Sequence, residues 1–229
     1  MKTPKTLCPH RSSPFGPVVL ASILSLFLSL FLALHAAPVF AAEVESVGHV
    51  TRVQGVSFAV QGSVLRPMGI NALISRKDVL KTGPGARLEI TLLDETRLTL
   101  GADTIFSVER YDLGRQQGGV LLKLTKGVFR VATGSLESLR GAPFEVSTPL
   151  AVVGIRGTDF WGGYLSAEEL SVLLISGKGV YIVNDGGRTE IVRPMEGVNI
   201  RSASSPPPAP SLWSPDRRAA AFKTVAFDE

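Results

Sequence analysis

Between Val47 and Ile200 apolar and polar positions alternate with a period of two, not 3.6. VSFAV (56–60) alternates, and so do LEITL (88–92) and LTL (98–100). In LEITL the alternation sets Leu88, Ile90 and Leu92 on one face of a strand. VLLKL, VFRVA, FEVST, LSVLLI, VYIV, EIV and VNI follow as short runs rich in leucine or β-branched residues, separated by turn-forming clusters such as GPG, DET, TKG and MEG. Short apolar segments at roughly 8–12-residue spacing, bounded by such turns, predict an all-β fold. The expected architecture is a single domain of many short, mostly antiparallel strands, as a two-sheet sandwich or a short roll or solenoid. No stretch in this span has the spacing of a long amphipathic helix. NDGG (184–187) predicts a tight hairpin turn with VYIV and EIV as its arms, because Asn, Asp and Gly tolerate positive φ.

The two ends of the chain break the pattern. SASSPPPAPSLWSP (202–215) predicts an extended linker, since its prolines cannot donate to a ladder. Residues 216–229 predict a short helix, with Asp216 as its cap and Phe222, Val225 and Ala226 on one side, or else a disordered tail. At the other end, Lys2, Lys5 and Arg11 precede an uncharged apolar run from Val18 to Leu34, and small residues follow. This predicts a signal peptide over 1–41, cut after Ala41, with the β domain spanning 44–201. The competing reading is an uncleaved membrane anchor, because the run is near the lower limit for a spanning helix. No span is expected after cleavage.

Composition then narrows the chemistry. The formal charge of +4 comes mostly from the leader; without its three bases, 21 bases face 20 acids. The remaining body has no basic stripe and no footprint for nucleic acid. Cys8, His10 and His35 fall in the leader, so the body keeps no cysteine and one histidine, His49. Disulfides, thiolate catalysis and Cys/His zinc sites are thereby excluded, and no catalytic residue, metal ligand or cofactor is expected.

One stretch stands out: TPLAVVGIRGTDFWG (148–162) places Arg156 between Gly154 and Gly157 in apolar surroundings. Three roles are open for Arg156. It ties turns together, with Asp159, Asp94 or Asp78 as partner. It receives an anion in a glycine nest. Or it forms an acid/base or oxyanion pair with Asp159. No nucleophile, metal set or tuned carboxylate pair accompanies it, which favours the first. Trp161 and Tyr164 follow as a partner patch at the surface or as packing residues of a core or edge.

These motifs carry a resemblance. VGHVTRVQGVSFAV, KDVLKTGPGARLEITLLDETRLTLGADT (77–104), LTKGVFRV (124–131) and TPLAVVGIRGTDF resemble the FecR domain, a periplasmic module of Gram-negative bacteria. Thr148, Pro149, Gly154, Arg156, Gly157, Thr158 and Phe160 stand where that pattern has them. Lys77 and Glu95 depart from it, each standing where the family usually has a turn glycine. The resemblance implies an exported, periplasmic, non-catalytic binding or scaffold module, or a signalling accessory, without the anti-sigma segment of the namesake proteins. The expected partner is another envelope protein, met through a sheet edge or the Pro-rich tail. Peptidoglycan or another glycan is the alternative ligand.

Overall fold

The structure, a computed structural model, describes residues 45–113, 118–134, 142–155, 157–166 and 168–228. All of them lie in one unit, Val44–Glu229. The predicted leader, 1–41, lies outside the described residues.

The short alternating runs form two nine-stranded sheets. From edge to edge, the first sheet holds β18 (Ser211–Leu212), β17 (Glu196–Ile200), β14 (Glu169–Gly177), β13 (Thr158–Ser166), β10 (Val128–Ala132), β7 (Arg97–Leu100), β6 (Arg87–Leu92), β1 (Ser46–Gln54) and β4 (Leu73–Ser75). The second holds β16 (Gly187–Ile191), β15 (Val180–Asn184), β12 (Val152–Ile155), β11 (Phe144–Ser147), β9 (Gly119–Lys126), β8 (Ile105–Asp112), β5 (Val79–Thr82), β2 (Ser57–Gln61) and β3 (Val64–Pro67). The chain alternates between the sheets, laying down a hairpin or a single strand at each visit. Pairing is antiparallel except between β9 and β11. Neither sheet closes into a barrel, so the predicted all-β sandwich of mostly antiparallel strands is what forms. The NDGG hairpin is present: β15 pairs with β16, and the Asn184 side-chain oxygen accepts from the Gly186 and Gly187 amides.

Alternation in sequence becomes two-facedness in space. Leu88, Ile90 and Leu92 all point into the main core between the sheets. Phe106, Phe129 and Phe160 form a column there, with successive ring centroids 5.5 Å apart. Each fully buried ring stabilises by about 1.5–3 kcal/mol over leaving it in water. At the β3–β4 end Arg66 bridges the sheets: it donates to the buried Asp78 carboxylate at 2.5 Å and to the Leu73 carbonyl at 3.1 Å. Asp78, taken from water, is thus met by a charge-assisted bond and by the Ser75 amide. Lys77 and Glu95, the two departures from the family pattern, adopt φ of 69° and 65°. Their turns keep a glycine-like backbone without the glycine.

Of the short helix and the disordered tail expected at the C-terminal end, the helix is what forms, and a strand precedes it within the expected linker. β18 extends the first sheet, and helix α1 (Pro215–Lys223) lies on that sheet's outer face. Ser214, not Asp216, is the N-cap: its hydroxyl accepts from the Arg217 amide, Pro215 opens the helix, and Asp216 sits in the first turn. A second core forms beneath it from Val128, Trp161, Leu173, Trp213, Ala221 and Val225. Arg217 stacks on Trp213 and donates to Glu169, Ser171 and Asn199. The end of the chain is clasped by β1, where Gln54 exchanges two hydrogen bonds with Asp228. Two glycines clear the seat. A Cβ on Gly197 would lie 2.6 Å from the Trp213 indole nitrogen, and one on Gly101 2.6 Å from the Thr224 carbonyl. A helix too short to persist alone is therefore held by tertiary burial.

Candidate functional site

The stretch 148–164 spans both sheets, and the described residues in it have identifiable contacts. Thr148 opens a turn: its hydroxyl donates to the Ala151 carbonyl and accepts from the Leu150 and Ala151 amides. Pro149 sits at that turn's tip. Gly154 is the middle of a three-strand row, Glu145–Gly154–Tyr181. Tyr181 lays its ring across Gly154 and donates to Glu145 at 2.8 Å; a Cβ on Gly154 would lie 1.9 Å from that ring. Gly157 has φ 65°, the left-handed region that glycine enters freely. Arg156 lies outside the described residues.

Thr158 stitches two loops together. Its hydroxyl donates to the Gly179 carbonyl at 2.8 Å, and its amide donates to the Thr133 hydroxyl at 2.8 Å. Asp159 is engaged by Arg130 through two parallel bonds of 2.9 and 2.6 Å. That bidentate pairing raises the Arg130 pKa further above its ordinary value. The other two carboxylates considered as partners for Arg156 also have bonds of their own. Asp78 takes Arg66, and Asp94 accepts from the Tyr111 phenol and the Thr96 hydroxyl. Phe160 belongs to the main core.

Trp161 is fully buried under the tail, its indole N–H donating to the Thr224 hydroxyl at 2.9 Å. The surface-patch reading of Trp161 is therefore corrected: the face that would have exposed it is covered by the chain's own C-terminus. Tyr164 is half-buried and packs against the main core. Burial pushes its phenol above the ordinary tyrosine pKa, eased by the Thr148 hydroxyl.

Tyr164 and Pro149 meet at an open cleft of about 710 Å³. Leu150, Leu165 and Val128 extend its apolar lining, and Thr224 supplies a wall from the tail. Lys126, Asp103 and Glu168 stand on its rim, exposed and forming no ion pair with the described residues. The turn between β9 and β10 shapes the opposite side, with the Tyr164 amide donating to the Gly127 carbonyl. Volume and lining are those of a site for a small ligand or the anchoring side chains of a peptide. Among the described residues no group of three or more His, Cys, Asp and Glu is placed to hold a metal ion. No described helix is long and apolar enough to cross a membrane.

Sequence reading singled out Asp159, Pro149 and Tyr164 but missed their companions Arg130, Lys126, Asp103 and Thr224. Arg130 lay within the quoted stretch LTKGVFRV, yet nothing local in it points to Asp159, 29 positions away.

Residues 78–178 match the family described as FecR protein. The resemblance read from the sequence is thus borne out over that span, from Asp78 before β5 to Lys178 after β14. No curated protein matches the chain. Two crystal structures of a candidate anti-sigma factor from Parabacteroides distasonis are similar to it. One is 20% identical with a TM-score of 0.50 and the other 18% identical with a TM-score of 0.50. Each match covers 62% of this chain and 62% of the solved one, and at that identity the likeness speaks to the fold.

Proposed function

We propose that this chain is an exported, non-catalytic signalling accessory of the cell envelope, and that it binds another envelope protein in the cleft beside Pro149 and Tyr164. Export rests on the basic leader, the apolar run and the small residues before Ala42. The signalling role rests on the FecR match and on the candidate anti-sigma factors among its structural neighbours, both regulatory kinds of protein. The observation that carries the binding reading is the cleft: an apolar floor with an unpaired rim of both signs, built where the family's most specific motif turns. The turn and strand residues around it are occupied by one another, which leaves them to hold shape and not to break bonds.

The Pro-rich tail offers less than the sequence implied, because it is spent on covering the chain's own second core. The cleft and the open sheet edges are the surfaces left for a partner. The test is retention of a defined protein from envelope extract by residues 44–229, compared with Leu165→Glu, a change at an exposed lining position. Selective loss with the variant supports the reading. Equal retention by both removes the cleft from it, and saturable sedimentation with purified sacculi would favour the glycan-binding alternative.

A further inference from the structure

The outer face of the second sheet carries an uncovered apolar patch at its β3 edge. Alternation fixes which side chains form it: Ala59, Leu80 and Phe106 point into the core, so their neighbours point outward. Cross-strand pairing then aligns two rows, Ser107–Val79–Val60–Leu65 and Ile105–Lys81–Phe58–Pro67. Apart from Lys81 and Ser107, whose hydroxyl donates to the exposed Glu109, these residues are apolar, and they belong to neither buried cluster. The first sheet's outer face is covered by the tail; the described residues place nothing over this one. Of the large exposed hydrophobics among the described residues, Leu65 lies in these rows. Leu65 is 61% exposed. Contiguous apolar surface of this kind marks a contact with something else.

Charge identifies that something. Residues 45–82 hold five bases and two acids, whereas the 42–229 body as a whole is nearly neutral. Both acids are neutralised: Asp78 is buried against Arg66, and Glu45 is paired with Arg76. Lys77 and Lys81 remain as exposed cations beside the apolar rows. The chain also enters at this end, since β1 begins at Ser46 opposite Ser75 of edge strand β4.

We infer that the β5–β2–β3 face docks on the surface of an anionic bilayer, its apolar rows against the acyl boundary and Lys77 and Lys81 against the headgroups. This goes beyond the cleft reading and does not depend on it. The face adjoins the cleft, because Ile105 pairs with Lys126 of the cleft rim.

The test is flotation of residues 44–229, the unit that contains both cores, with vesicles of phosphatidylcholine alone or mixed with phosphatidylglycerol. Wild type and Val192→Asp, a change at an exposed hydrophobic outside this face, are expected to float with the mixed vesicles and to be released by salt. Leu65→Asp and Lys81→Glu are each expected to lower vesicle binding by about tenfold while leaving thermal unfolding unchanged. The inference is overturned if wild type does not float, if Val192→Asp is impaired equally, or if Leu65→Asp instead abolishes self-association, which would assign the face to a second copy of the chain.

Discussion

The carboxylate of Asp159 receives Nε and Nη2 of Arg130 at 2.9 and 2.6 Å, joining two neighbouring strands of the first sheet diagonally. The pair occupies the acidic residue that a catalytic reading of the motif would need. Its Arg130 side chain is 41% exposed, so solvent screens the attraction. In a double-mutant cycle with Asp159→Asn and Arg130→Gln, urea unfolding is expected to give a coupling of about 1 kcal/mol. Loss of partner retention without loss of stability would contradict a purely structural role.

Lys77 and Glu95 hold left-handed backbone at the cost of crowding their own Cβ atoms. Lys77→Gly and Glu95→Gly are each expected to leave the fold intact and stabilise it by up to about 1 kcal/mol, read as a raised urea midpoint with an unchanged slope. Destabilisation by both would mean that their side chains do something the contacts do not show.

The tail predicts an optical signal. Trp161 and Trp213, the only tryptophans in the chain, face one another under it, their ring centroids 6.2 Å apart. Removing residues 202–229 is expected to shift Trp161 emission to the red and expose apolar surface that promotes aggregation. Trp213→Ala should cost about 3–5 kcal/mol, measured by thermal or urea unfolding.

Alkaline pH is expected to weaken the fold through Tyr111. Burial, reinforced by the Asp94 charge, pushes its phenol well above the ordinary value. The folded chain thus binds that proton more tightly than the unfolded chain, whose tyrosines titrate near pH ~10. The contribution is complete below that pH and is lost as pH rises above it. Absorbance titration should show fewer tyrosines ionising near pH ~10 in the folded chain than in urea. Tyr111→Phe should flatten the alkaline decline while lowering neutral stability by about 1–3 kcal/mol, because the Asp94 carboxylate and amide lose their partner.

Strands were legible in sequence where only one face is buried. β6 reads as strict alternation because its outer side chains remain half exposed. β14 reads as a continuous apolar run because the tail buries its other face, and no local pattern reveals a cover more than thirty residues downstream. The glycines of the motif announced a tight site, but the reason for Gly154 is the Tyr181 ring on the adjacent strand, visible only once register is known. The partner of Asp159 was hidden in the same way: β10 and β13 meet through folding, not through spacing. The cleft was half legible, through Pro149 and Tyr164, while its charged rim draws Asp103, Lys126 and Glu168 from three separate stretches that only folding brings together.

The binding role is tested most directly by photo-crosslinking from a benzoylphenylalanine placed at Leu165, on the cleft, and at Val192 as the control, in cells that export the chain. The expected result is one discrete protein adduct from position 165 and none from 192. No adduct from 165, together with release of soluble wall fragments by the purified body, would contradict it.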